Sequence, residues 1–483
     1  MSKSTNIQRA APVRVFHKVE RETTETAGLL EQLKAGLEAL RWSESGSVDL
    51  ERLEGEAHGL FMMAERAYLT AKLEGLDVDV AQLVIDGQMH HRVLRSERVY
   101  TSAAGPLKVK RTLYRGGTAK AVVPLERRVG IVAGRFTPRA ARQGLWVVAQ
   151  LPPQEAASLF KELGGMSPSK SSLDRLPKAF GAEWEAHRES FEGQLRAHLE
   201  VPATAVTVAV SLDGVMTPMK DALRQAKREA TFAAGKRKRG PAGHREVGCG
   251  TLSFYDGSGV RLSSVRMARM PEEKKATLKT MLEQDLAAVL AQRPSLHVVK
   301  VADGAKDNWR YLSETLPSGT EVIDFYHAAE HLKDALDAAY GENTPTARSR
   351  FETYRHILLE QPQGVGKVIC ARVYLRKCHP QRQVISLAVS YFRRHRARMQ
   401  YATVRAAGLP IGSGVVEAAC KTLVTQRLKR SGMRWRHPGG QAILTLRSLL
   451  QSGRFDDGWK LIAQCYRSEI SLPSSVVPFP RAA

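Results

Sequence analysis

The chain has 483 residues, 43% of them apolar, which allows a sizeable core and excludes global disorder. Lys and Arg outnumber Asp and Glu by 73 to 49, and the resulting charge of +24 points to a polyanionic partner, nucleic acid first. Five cysteines without a CxxC pair argue against a disulfide framework or a cysteine-rich zinc site, and no run approaches the roughly 18 apolar residues of a membrane span.

In chain order, residues 1–24 read as an arm; they carry charge without a following apolar core, so no secretory signal is expected. Residues 25–41 place Leu29, Leu30, Leu33, Leu37 and Leu40 at helical spacing, and a second helix is expected over 49–73. This N-terminal helical region, 1–90, suits a core or dimer role. A small β-hairpin region follows at 91–130, with β-branched runs broken by "AAGP" and "RGG". Its alternating cations face either phosphates or solvent. Residues 131–198 return to helix. "PPQEAASLFKELGGMSPSKSSLDRLPKAF" reads as helix, glycine turn and second helix, the outline of a helix-turn-helix DNA reader or of an ordinary helical hairpin. In the first case Lys170 and Arg175 reach DNA.

From 199 the pattern becomes α/β. "TAVTVAVSLDG" is a nearly continuous apolar strand of the kind covered on both faces. The charged stretch 221–247 has no hydrophobic period and reads as a basic loop. Two hairpin strands, a helix, the strand "LHVVKVADG", a short helix and the strand "EVIDFYH" complete the order β-β-β-α-β-α-β of a ribonuclease H-like mixed sheet over 199–326. A helical insertion is expected over 327–405, C-terminal helices of the core over 406–465, and a tail over 466–483.

Three acids stand where this geometry lets them converge. Asp213 ends the first strand, Asp303 ends the fourth, and Glu417 lies in the first turn of the helix opened by "IGSGVVE", with Ser413 as its cap. Gathered carboxylates repel unless a divalent cation neutralises them, and oxygen ligands of this kind suit Mg²⁺ or Mn²⁺. Each acid also has a plainer reading. "DG" at 213–214, 256–257 and 303–304 is an ordinary turn dipeptide, and a first-turn Glu is favoured by the helix dipole. Asp256, in "YDGSGVR", reads as such a turn residue.

These residues carry a resemblance. "SLDGVMTPMK", "GTLSFYD", "ARMPEEKKATLK", "VADGAKDNWRYL", "IDFYHAAEHL" and the long "IGSGVVEAACKTLVTQRLKRSGMRWRHPGGQAILTLRSLLQSGRFDDGW" are similar to motifs of the DDE transposases of the ISKra insertion-sequence group, over about residues 200–460. The resemblance implies a ribonuclease H-like catalytic domain interrupted by a helical insertion. It also implies Mg²⁺-dependent cleavage and transfer of double-stranded DNA at element ends, with Asp213, Asp303 and Glu417 as the metal-binding catalytic acids. "DFYH" corresponds to a (Cys or Asp)-x-x-His motif of related transposases. His327 then holds the scissile phosphate and Asp324 orients it, or Asp324 serves as an alternative metal carboxylate. Relatives often carry a CxxC knuckle near "LYRGGTAKAVVPL". This chain has no cysteine before Cys249, so the hairpin must be held by packing alone.

After Glu417 the chain is strongly basic. Lys421, Arg427, Lys429, Arg430, Arg434 and Arg436 are expected to hold DNA phosphates around the acidic centre, and Trp435 either stacks on an unpaired base or packs against the last helix. The expected partners are terminal inverted repeats, target DNA and further copies of the chain, in a bacterial cytoplasm. The alternatives are a structure-specific nuclease on the same fold or a catalytically inactive DNA-binding relative.

Overall fold

A computed structural model describes residues 19–40, 47, 49–117, 121–220, 222–235, 243–468 and 470. The chain divides into two compact units, one of Met1–Gln143, Ala157–Ser169 and Ala463–Ala483, the other of Gly144–Ala156 and Lys170–Ile462.

In the first unit, α1 (Val19–Ala39) and α2 (Leu50–Gly75) form a helical hairpin in which Leu60 closes over Gly36. Helix α1 begins at Val19, so residues 19–24 are not an arm; the rest of the expected arm lies outside the described residues. Asp49 caps α2, its carboxylate accepting the Arg52 N–H at 3.0 Å. Strands β1 (Gln82–Ile85), β2 (Gln88–Ser102) and β3 (Gly105–Arg115) form an antiparallel sheet in that order. This sheet starts ahead of the expected boundary at 91. The extra strand is joined by Asp86–Gly87, both at positive φ (51° and 74°), a tight hairpin turn of the Asp-Gly kind. Tyr100, Leu107 and Val109 bury against Leu125 and Ile131, and the buried Tyr114 hydroxyl bonds Val80 N and O at 2.9 and 2.8 Å. Helix α3 (Pro124–Val129) follows. Helices α4 (Pro138–Gln150) and α5 (Pro153–Leu163) are each divided between the two units, so 131–198 is not a unit of its own.

The second unit contains α6 (Lys170–Ala186), α7 (Arg188–Ala197), β4 (Thr207–Pro218), α8 (Ala222–Ala233), β5 (His244–Tyr255), β6 (Arg261–Arg269), α9 (Ala276–Gln292), β7 (His297–Ala302), α10 (Lys306–Glu314) and β8 (Thr320–Ile323). Its five strands run in the order β6-β5-β4-β7-β8; the first three are antiparallel, and β4, β7 and β8 are parallel. The fourth predicted strand does lie beside the first. Helix α8 replaces part of the expected basic loop. Its Ala, Arg, Lys, Gln and Glu residues favour helix without needing an apolar stripe. The remainder of that stretch, 236–242, lies outside the described residues. Asp256 is the turn residue expected of it, its Oδ1 accepting the Ser258 and Val260 N–H groups at 2.9 Å each.

The core is continuous from Val208, Val210 and Leu212 of β4 and Val299 and Val301 of β7 to Leu282 and Leu286 of α9. Helices α11 (Phe325–Tyr340), α12 (Pro345–Glu360), α13 (Gly364–Cys378), α14 (Gln383–Arg394) and α15 (Tyr401–Ala406) form the expected helical insertion. The chain returns through α16 (Gly414–Ala419), a π-helical turn at Cys420–Thr425 and α17 (Gln426–Leu428), then α18 (His437–Gln451) and α19 (Phe455–Cys465). Helix α18 packs on β6 and on α6, where Gly181 lies against Ala442. The unit is therefore a mixed α/β structure with a five-stranded mixed sheet. Among the described residues no helix is long and apolar enough to cross a membrane.

Candidate active site

The parallel half of the sheet delivers an aspartate from each of three neighbouring strands. Asp213 does not end β4, as expected from sequence; the strand runs on to Pro218 because β5 continues to pair with it. Pairing with β7 stops at Ser211, however, so Asp213 lies just beyond the parallel segment, opposite Cys249 of β5. Its carboxylate accepts the Gly214 N–H at 2.6 Å and the Cys420 thiol at 3.4 Å. Asp303 directly follows β7. Its Oδ1 accepts the Ala305 N–H at 3.1 Å and the Asn308 amide at 3.4 Å. Asn308 is buried and also donates to the Leu212 carbonyl at 3.4 Å, so one amide ties Asp303 to the residue before Asp213. Asp324 follows β8, and its N–H donates to Ala302 O at 2.9 Å. Asp213 and Asp303 line one cleft of about 720 Å³, whose lining also holds Lys274, Lys275, Lys279 and Lys306 and the acids Glu246, Glu272, Glu273 and Asp307, with Lys275 paired to Glu246 at 2.8 Å.

The "IGSGVVE" segment is fastened to the end of β8. Phe325 N donates to Ile411 O at 3.0 Å, and the Ser413 N–H donates to Asp324 Oδ2. Asp324 has no solvent exposure and caps α11, its Oδ1 accepting the His327 N–H at 2.7 Å and lying 3.2 Å from the ring Nδ1. Burial alone would raise the Asp324 carboxyl; the donors from His327 and Ser413 outweigh it and hold the group below its ordinary range. The same hydrogen bond to Asp324 is the main cause that pushes His327 up to about 9, helped by the charges of Asp324, Glu330 and Asp303. Ser413 stands at the start of α16 but does not cap it with its side chain. Its hydroxyl instead donates to Glu417 Oε1 at 2.8 Å, which leaves that carboxylate 4.0 Å from His327 Nδ1.

Asp324, His327 and Glu417 present ligand atoms within 4.8 Å of one another, an arrangement able to hold a metal ion; Asp213 and Asp303 are outside this close group. The donor chemistry divides the acids. Both Asp324 oxygens are enclosed and engaged by N–H donors, which fits a positioning role, while its place in the close group with His327 and Glu417 keeps it as the alternative metal ligand. Asp213, Asp303 and Glu417 are partly exposed hard-oxygen donors of the type that suits Mg²⁺ or Mn²⁺. Helix α16, which carries Glu417, packs on β4 and β5, and Cys420, one turn after Glu417, touches Asp213.

The candidate DNA-binding residues separate by burial. Lys170 and Arg175 are exposed on α6, and Lys421, Lys429, Arg434 and Arg436 are exposed after α16. Arg427 is not available to phosphate. It is 2% exposed, donates to Val148 O at 3.2 and 3.3 Å, and lies 5.4 Å from the centre of the Trp435 ring. Arg430 is engaged by both oxygens of Glu155, at 2.7 and 2.8 Å. Trp435 is half-buried with its indole N–H on Leu428 O at 2.9 Å. Sequence reasoning missed Asn308 and Cys420. Cys420 had a signal, since three residues from Glu417 on a helix is the same face. The Asn308 bridge depends on two strands meeting and has no local mark. No family model matches the chain, and no curated protein matches it at a significant level.

Proposed function

We propose that this chain is a metal-dependent DNA transposase, similar to the DDE enzymes of the ISKra group, with a ribonuclease H-like catalytic core. It binds terminal inverted repeats, cleaves 3′ ends and joins them to target DNA, acting as a multimer in a bacterial cytoplasm. The observation that carries this reading is the gathering of Asp213, Asp303 and Asp324 at one edge of three neighbouring strands, with Glu417 returned to that edge by a loop bonded to Asp324. Asp213, Asp303 and Glu417 are the residues that would hold Mg²⁺ or Mn²⁺. When bound, such an ion supplies charge neutralisation and activates a water or 3′-hydroxyl for attack on a phosphodiester.

The chain's own groups do the rest. Asn308 fixes the Asp303 carboxylate relative to β4. Ser413 holds the Glu417 carboxylate by its hydroxyl while its backbone N–H anchors on Asp324. Asp324 orients the His327 ring, which would hold a phosphate oxygen. Lys274 and Lys306, exposed at the cleft, offset DNA charge.

The test is incubation of the purified protein with Mg²⁺ and labelled duplexes carrying the DNA that flanks its gene. Nicked 3′ ends and joined products are expected. Asp213→Asn, Asp303→Asn and Glu417→Gln should each abolish both while DNA binding survives. Undiminished cleavage by any one variant removes that residue from the metal-binding set, and cleavage without joining replaces transposition by the nuclease reading.

A further inference from the structure

A second cavity, of about 740 Å³, lies in the same unit; none of the gathered acids lines it, but the candidate DNA-binding residues Arg434, Trp435 and Arg436 do. Its volume is within the range of about 300–1,000 Å³ typical of small-molecule sites. One side is apolar: Pro153, Pro177, Met433, Ile443 and the indole of Trp435. The rim is cationic, with Lys220, Arg434 and Arg436 exposed and none of them in an ion pair among the described residues. The lining has one carboxylate, Asp174, and Lys178 holds it at 2.5 Å. A cavity with a flat apolar wall and three uncommitted cations fits a ligand that is aromatic at one end and anionic at the other.

The wall is built rather than incidental. The indole N–H of Trp435 is fixed on Leu428 O, and the buried Arg427 guanidinium lies against the ring. The backbone of Trp435 is stitched to the far end of β4, with Trp435 N on Pro218 O at 3.1 Å and Lys220 N on Trp435 O at 2.8 Å. Strand β4 is the strand of Asp213. Pro218 lies five residue steps beyond Asp213, which at about 3.4 Å per residue is roughly 17 Å. That equals about five nucleotide steps along a DNA strand.

We propose that this cavity binds an unstacked nucleotide, its base against Trp435 and its phosphate on Lys220, Arg434 and Arg436. The choice of DNA as the source of that nucleotide rests on the function proposed above; the chemistry of the cavity does not.

The test uses the full chain and no cleavage. Fluorescence anisotropy measures binding of a blunt duplex, of the same duplex with a three-nucleotide single-stranded overhang, and competition by dAMP. Wild type should prefer the overhang. Trp435→Ala should lower affinity for the overhang about tenfold, in keeping with one lost base–aromatic stack, and lower affinity for the blunt duplex much less. Because Trp435 also packs against the core, Arg434→Gln with Arg436→Gln, at exposed positions, is the second variant; it should weaken overhang binding more than blunt binding. Competition by dAMP identifies a free nucleotide as sufficient, and preference for the overhang without such competition identifies DNA as the source. Equal binding of both duplexes by wild type, with no effect of dAMP, overturns the proposal. So does a double variant that loses both duplexes equally. A protein that prefers the overhang but never cuts DNA keeps the cavity and loses only the transposase reading.

Discussion

His395 lies between α14 and α15, 3% exposed, with neither ring nitrogen hydrogen-bonded among the described residues. Its ring packs 5.0 Å from Tyr391. Burial, with the nearby charges of Arg398 and Arg394 added and those of Asp303 opposing, pushes its pKa down to about 4. The folded state therefore holds His395 neutral, while the unfolded chain takes up a proton near pH 6.5. Between those values the unfolded state binds more protons, so stability is full above pH 6.5 and is lost as pH falls toward 4. From pH 7.5 to pH 5 the loss from this group is about 2 kcal/mol. Urea denaturation at the two pH values should show it, and His395→Phe should remove it; an equal acid loss in both proteins would assign the effect to other groups. Nothing in "YFRRHRARMQ" marks this histidine as buried. Asp213 and Asp303 were legible because each follows an apolar strand run, and Glu417 because a glycine turn opens its helix. Of the partners that hold them, Cys420 was marked only by its spacing from Glu417, and Asn308 was not marked at all, because its contacts form only when distant segments meet.

Strand β8 is four residues long, yet it seats Asp324 and through it the loop that carries Glu417. Its approach to β7 is set at Gly319. A Cβ there would lie 2.3 Å from the Val298 carbonyl oxygen, and a backbone atom inside a sheet has little room to yield. Gly319→Ala should therefore destabilise the unit by about 1–3 kcal/mol and prise β8 from β7. The readouts are a lower urea midpoint and faster amide exchange at Val322 and Ile323; unchanged exchange there would show that β8 is placed by α11 instead. At this scale the long apolar strands and the helical insertion were readable from periodicity. Strand β1 was readable in principle, from the Asp-Gly turn that follows it. Helix α8 was hidden because it rests on helix propensity and not on a long apolar period. The π-helical turn at Cys420–Thr425 has no sequence signature, and it carries the residue that meets Asp213.

Across the whole molecule, the charge of +24 attracts polyanions, but only cations that remain free in the fold can release counterions from DNA. The six cations after Glu417 look alike in sequence and differ in the structure. Arg427 is enclosed against Val148 O and Trp435, Arg430 is held by Glu155, and Lys421, Lys429, Arg434 and Arg436 face solvent. Burial lowers Arg427 to about 10, well below the ordinary guanidinium range but still protonated at neutral pH, so its truncation removes a packed and bonded charge from the interior. Lys421→Gln and Lys429→Gln should each weaken duplex binding and reduce the slope of log affinity against log salt by about 0.9, with no change in melting temperature. Arg427→Gln should do the reverse, lowering the melting temperature by several degrees and leaving the salt slope of the folded fraction intact. Titrations between 50 and 200 mM salt beside a thermal melt separate the two classes. A shallower slope for Arg427→Gln at full stability would mean that the DNA-bound protein turns this side chain outward. Binding would then involve a rearrangement of the loop that holds Trp435.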